Sequence, residues 1–229
     1  MHKQRQVIDT ADGSHTVRLH EGDESFHSMH GAWTESMHVF IEHGFRKVSS
    51  SVDPVSVLEV GFGTGLNAFM TWLEVRNSTR KLHYIGLEPH PVGKPIWAIL
   101  NYPDFAGDEK AYELFRNMHL APWGTPVFVD EGFVLNKLEE GVETVSLRSV
   151  SFDLVYFDAF SFDTAPDIWS EEVFRKMFDA LKNGGILVTY AAKGEVRRRL
   201  TGAGFDVERI PGPPGKREML RAVKHGDSQ

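Results

Sequence analysis

The 229-residue chain contains no cysteine. Disulfides, thiolate metal ligands and cysteine nucleophiles are therefore all excluded. It also lacks any apolar run approaching the roughly 20 residues that span a bilayer, and its opening residues, MHKQRQVIDTADG, hold no apolar signal core. A soluble, cytoplasmic protein without membrane association is expected. Low-complexity tracts and internal repeats are absent as well, and so is any overall basic excess, because the formal net charge is -7. That balance excludes a surface positive throughout. The charge is nevertheless uneven, with nine basic against four acidic side chains in residues 193–224. A polyanion would meet the C-terminal part alone, unless that stretch is only the solvated face of an acidic protein.

What is present starts with enough apolar material, 41% of residues, to build one sizeable core. The chain is organised around VSVLEVGFGTGLNAF at 55–69. A short β-branched run suits a buried parallel strand, the glycines suit a tight turn, and a helix start follows. Glycines at alternate positions let backbone approach a ligand, and the helix N-terminus offers unpaired N–H groups. The pattern E-x-G-x-G-x-G departs from the dinucleotide fingerprint G-x-G-x-x-G and resembles the first motif of class I S-adenosylmethionine (SAM) methyltransferases. Glu59, Gly61, Gly63, Thr64, Gly65 and Asn67 are the candidate cofactor-binding residues of this unit. One β-α-β unit later, the strand at 82–87 ends in Glu88, a carboxylate suited to accept both ribose hydroxyls.

Along the rest of the chain, 7–10 and 14–19 alternate around Asp12-Gly13 as a β-hairpin. The segment 25–45 follows, with helical spacing in its later half. Its histidines His27, His30 and His38 do not repeat on one face or complete a metal motif, so no metal is expected. Glu35, near that helix start, either meets the amino group of bound SAM or complements the helix dipole. Helical pieces are read at 94–100 and 110–118, and a strand at 133–138 leads to Glu140, the candidate partner of the adenine amino group in a class I fold. The run FDLVYFDAF at 152–160 is a strand ending in Asp158. Ligands of parallel sheets lie beyond the strand ends, which sets Asp158 beside the reacting methyl group, the alternative being a buried helix cap. A helix at 171–181, a fifth strand from 186, a helix at 194–200 and strands at 207–210 and 219–223 complete the order. The expectation is an α/β, Rossmann-like class I fold: a seven-stranded, mostly parallel sheet with a C-terminal antiparallel hairpin. Residues 1–50 form an extension of hairpin plus helix packed on a 51–229 domain.

Taken together, FHSMHGAWTESMHVFIEHG, VGFGTGLN, LEPHP, YFDAFS with PDIWSEEVF, and AGFDVERIPGPPGKREML resemble the methyltransferase component of MnmC-type tRNA 5-methylaminomethyl-2-thiouridine biosynthesis enzymes. The resemblance implies SAM as cofactor and N-methylation of the exocyclic amine of a 5-aminomethyl-(2-thio)uridine at the tRNA wobble position. It also implies a stand-alone methyltransferase, with a separate FAD-dependent oxidase acting upstream. Without cysteine, carbon methylation of a pyrimidine through a covalent adduct is excluded, and nitrogen or oxygen acceptors remain. Asp158 and Phe160 are the catalytic candidates, the first orienting the amine or, as a cofactor-binding residue, meeting the SAM amino group instead, and the second stacking on the uracil. Arg197, Arg198, Lys216 and Arg217 are the candidate contacts to phosphates of the anticodon stem-loop. Two departures stand out: Phe162 replaces the proline usual in that family, and Gly141 stands at the acidic position, leaving Glu140 one residue early. A small-molecule amine methyltransferase or aminopropyltransferase-like enzyme, and a non-catalytic SAM- or tRNA-binding module, are the competing readings.

Overall fold

The computed structural model describes residues 5–19 and 24–226. Strands β1 (Arg5–Asp9) and β2 (His15–Leu19) form the expected antiparallel hairpin. Helix α1 (Ala32–Ser36) runs directly into a π-helical turn, Met37–Glu42, in which the His43 N–H reaches back to the His38 carbonyl. The wide turn buries three successive residues, Val39, Phe40 and Ile41.

The main sheet is built from β3 (Val55–Val60), β4 (Leu82–Leu87), β5 (Val127–Asp130), β6 (Phe133–Leu138), β7 (Phe152–Phe157), β8 (Leu181–Thr189), β9 (Asp206–Pro211) and β10 (Glu218–Val223). Its order is β5-β6-β4-β3-β7-β8-β10-β9. Strands β6, β4, β3, β7 and β8 are mutually parallel, and β10 is antiparallel to both β8 and β9. The seven expected strands are all present. The eighth, β5, pairs antiparallel with β6 at the sheet edge, across a turn at Glu131-Gly132 where Gly132 has a φ of 75°.

Central strands read as continuous apolar runs because both faces are covered: every residue of β7 is buried. On one face pack α1, the π turn, α2 (Leu66–Val75) and α4 (Glu109–Leu120), around Phe40, Phe69, Trp72, Tyr84 and Phe115. On the other lie α5 (Glu171–Ala180) and α6 (Gly194–Gly202), around Phe157, Trp169, Phe174 and Leu200. Of the aromatics at 97–115, Trp97, Tyr102 and Phe115 are core, whereas Phe105 and Tyr112 are exposed. Helix α3 is shorter than expected, Lys94–Trp97. The described residues among the first fifty share the core: Val17, Val39 and Phe45 lie in the same cluster as Val57 and Tyr156. The hairpin is tied down by Arg5, which donates to the His90 and Pro91 carbonyls, and by Asn101, which bonds both the His15 N–H and the Gly13 carbonyl. No described helix is long and apolar enough to cross a membrane.

Candidate active site

The chain turns from β3 outward to β4 and β6 in one direction and to β7 and β8 in the other, so β3/β7 is the switch point of the sheet. There the strands open into a cavity of about 380 Å³. Its floor is the glycine turn. Gly61, Gly63 and Gly65 have φ of 91°, 48° and 75°, a region in which a Cβ is strained. A Cβ on Gly63 would come within 3.0 Å of the Phe26 ring, and one on Gly61 would run into the Asp158 carbonyl. The turn therefore fits only glycine, against both its ligand side and its neighbours. Gly65 caps α2 from behind and does not itself line the cavity.

Four polar side chains stand in or under this space. Glu88, at the end of β4, accepts from the Gly63 N–H (2.9 Å) and the His90 N–H (2.8 Å). Each oxygen keeps a lone pair, so ribose hydroxyls can still be met. Asn67, in the first turn of α2, donates from one nitrogen to Glu59 Oε1 and to Asp158 Oδ2, both at 2.8 Å. Its own oxygen is buried without a partner. Asp158 is half-buried at the cavity wall. Withdrawal from water and the nearby Glu35 carboxylate, outweighing the Asn67 hydrogen bond and the Lys216 charge, push its pKa up to about 7. Glu59 is fully buried and takes a further bond from Tyr84 Oη (2.8 Å); burial holds its pKa well above the usual carboxylate range.

Aromatic groups close the opposite side. Phe26 and Phe160 meet edge to face at 5.4 Å, and Tyr190 donates to the Ala159 carbonyl (2.8 Å). Trp169 donates to the Phe160 carbonyl (2.8 Å) and so fixes the loop after β7. Glu24 accepts from Thr164 Oγ1 (2.8 Å) and draws the same loop toward the residues after β2.

The structure brings Gly61, Gly63, Thr64, Asn67, Glu88, Glu140, Asp158 and Phe160 together at the cavity. Three sequence-based expectations need correction. Glu59 does not reach the cavity, because its side chain faces the interior of the sheet, where Asn67 and Tyr84 occupy it. Glu35 is likewise absent from the lining: one oxygen accepts from the Ser28 N–H (3.0 Å) and the other from Lys216 Nζ (2.7 Å). Lys216 is consequently not a free surface cation, its ammonium also lying 3.8 Å above the Tyr190 ring. Arg197 and Arg217 are exposed, and Arg198 is paired with Glu195. Phe162 leaves the cavity altogether, packing against the second core between Lys193 and Arg199. At the mouth, Glu140 is exposed and is joined by Glu143, which sequence reasoning missed.

His27 was also missed. It lines the cavity with Nε2 3.0 Å from Thr64 Oγ1, and burial lowers its pKa to about 4, which keeps it neutral. Thr64 in turn accepts from Tyr102 Oη (3.1 Å). The three histidines considered from sequence do not converge: His38 bonds the Pro211 carbonyl and His30 lies beside Gly215. A different group, His38, Glu42 and His43, has potential ligand atoms within 4.8 Å of one another on the π turn. Arg46 lies 3.9 Å from that Glu42, a charge that competes with any cation.

The orphaned Asn67 oxygen, the left-handed glycine cradle and the Glu88 carboxylate suit a ligand with an amino acid end and a ribose. Residues 132–225 match the family described as S-adenosyl-L-methionine-dependent methyltransferase. The chain is 33% identical over 208 residues to the tRNA 5-methylaminomethyl-2-thiouridine biosynthesis bifunctional protein MnmC of Azoarcus sp. strain BH72, covering 86% of this chain and 32% of that protein. The protein of the same name from Cupriavidus metallidurans is 31% identical over 214 residues, 87% of this chain and 31% of its own length. The chain thus spans about a third of the curated relatives it matches. Among solved structures, MNMC2 from Aquifex aeolicus superposes with a TM-score of 0.77 at 22% identity, over 98% of this chain and 71% of that one. Spermidine synthase from Thermotoga maritima shares the fold at a TM-score of 0.57 and 14% identity, over 99% of this chain and 70% of that one. Cradle, fold and relatives point the same way: residues 132–225 match a SAM-dependent methyltransferase family, and over 86–87% of its length the chain is similar to about a third of the MnmC proteins.

Proposed function

We propose that this chain methylates the exocyclic amine of 5-aminomethyl-(2-thio)uridine at the tRNA wobble position, giving 5-methylaminomethyl-(2-thio)uridine. The observation that carries the reading is Asp158, a cavity carboxyl poised near neutrality at about 7, beside an aromatic wall and a SAM-type cradle. Bound SAM supplies a methyl group already activated on a sulfonium. The protein's task is alignment and an amine with a free lone pair.

A primary alkylamine arrives mostly as ammonium. Ionised Asp158 orients it and takes its proton, and the partly dry cavity lowers the amine's own pKa. Phe160, backed by Phe26, offers a face for the uracil ring. Glu88 holds the ribose, Asn67 and the glycine turn hold the amino acid end, and Glu140 with Glu143 stands where the adenine amino group would be met. Exposed Arg197 and Arg217 contact anticodon phosphates. An oxidase that frees the aminomethyl group acts beforehand, consistent with relatives described as bifunctional.

The test is incubation with methyl-labelled SAM and tRNA whose wobble uridines stop at 5-aminomethyl-2-thiouridine, followed by digestion and nucleoside identification. Label in 5-methylaminomethyl-2-thiouridine, lost in Asp158→Ala, is the expected result. SAM binding with label only on free amines would sink the RNA assignment.

A further inference from the structure

Two charged residues with no surface on the cavity converge on its acceptor side. Glu35, on α1, is 5% exposed. Lys216, in the loop between β9 and β10, places Nζ 2.7 Å from Glu35 Oε2 and 3.8 Å above the Tyr190 ring. Tyr190 lines the cavity and donates to the carbonyl of Ala159, the residue after Asp158. A continuous line of contacts therefore runs from α1 and the β9–β10 loop to the peptide carrying Asp158.

We propose that Glu35 and Lys216 are positioning residues for Asp158, fixing its charge and its place from outside the cavity. This inference rests on the proposed transfer of methyl to an amine. Two carboxylates in one poorly hydrated region cannot both ionise freely, and a nearby cation relieves the conflict. Glu35 opposes the ionisation of Asp158 and Lys216 favours it. Glu35 is buried while the Lys216 side chain is 33% exposed, so salt screens the pair only in part. The other groups near Asp158 are Asn67 from α2, Glu59 from β3 behind Asn67, Tyr190 after β8, and Glu24, Glu88 and His27 around the cavity. Of these, Tyr190 and His27 also sense Glu35 or Lys216 and belong to the same coupled group, whereas the others make no hydrogen bond or ion pair with either residue.

The two partners then have opposite signatures. Lys216→Gln should move the acid limb of the kcat/KM profile upward by about one pH unit. Glu35→Gln should move it downward, Lys216→Arg should leave it near wild type, and the double variant should return toward wild type. A carbon-13 titration of the Asp158 carboxyl, identified by its loss in Asp158→Asn, reads the same shifts without turnover. The inference is overturned if wild type methylates tRNA but the limb stays put, or moves the same way in both single variants. It is equally overturned if Lys216→Gln raises KM and flattens the salt dependence at an unmoved limb, the signature of a phosphate contact. Should Lys216→Gln fail to fold, Glu35→Gln alone decides, and an unmoved limb there refutes the idea. If wild type methylates nothing while the carboxyl titration shifts in opposite directions, the proposed reaction fails and the coupling stands.

Discussion

Asp158 keeps its proton to higher pH than an aspartate in an unfolded chain would. Unfolded it ionises near 3.8, and folded near 7. Between those values the folded state binds more protons, so this group's stabilising contribution is full below 3.8 and is lost as pH rises through 7. Asp158→Asn has no such loss. Chemical denaturation should show the variant equal to wild type in acid and more stable by about 1–2 kcal/mol near pH 8, a figure reduced for partial exposure, with transfer activity abolished. A variant no more stable than wild type at that pH would show that Asp158 is not held protonated. Asn67 carries a separate load, since one amide nitrogen serves two carboxyl groups. Asn67→Ala leaves both without that donor and should cost about 1–3 kcal/mol in urea unfolding, with SAM affinity falling as the cradle loosens.

At the scale of elements, the turn after β3 depends on β4. A Cβ added to Gly86 would come within 2.5 Å of the Phe62 ring, which lies beneath the glycines and is 3% exposed. Gly86→Ala should displace Phe62 and weaken SAM binding by about tenfold, or about 1.4 kcal/mol, with the sheet intact by circular dichroism; unchanged calorimetric affinity would refute the packing argument. The strand–turn–helix unit was legible because apolar runs, alternate glycines and terminal carboxylates are local signals. Strand β5 carries a weaker signal, because Val127–Asp130 is only four residues long and adjoins Pro126. Glu59 was read as a cofactor contact because a motif gives position and not the direction of a side chain. Glu35 and Lys216 lie 181 residues apart. Nothing local in either segment announces the other, so charge alone made Lys216 look like a phosphate ligand.

For the molecule as a whole, an acidic protein acting on tRNA, as proposed, would have to hold the polyanion with a local patch. Nine basic and four acidic residues fall in 193–224, yet several of the cations are engaged: Lys216 by Glu35, Arg221 by Glu208 and Arg199 by Glu195. Under the proposed function, exposed Arg197 and Arg217 would be the better phosphate contacts. Replacing either by Ala should weaken tRNA binding at low salt and reduce the slope of log K against log salt by about 0.7–0.9, without changing which tRNA is chosen. A slope unaffected by both changes would move the RNA surface elsewhere. The sheet order has a further consequence for biosynthesis. β9 is joined to the sheet only through β10, which lies between it and β8, although β10 is translated later. While the ribosome still holds β10, β9 has no partner strand and the β9–β10 loop cannot bring Lys216 to Glu35. Newly made protein therefore passes through a stage in which the edge of β8 is open and competing strands can add to it, and Asp158 acquires its final electrostatic setting only after that edge has been sealed.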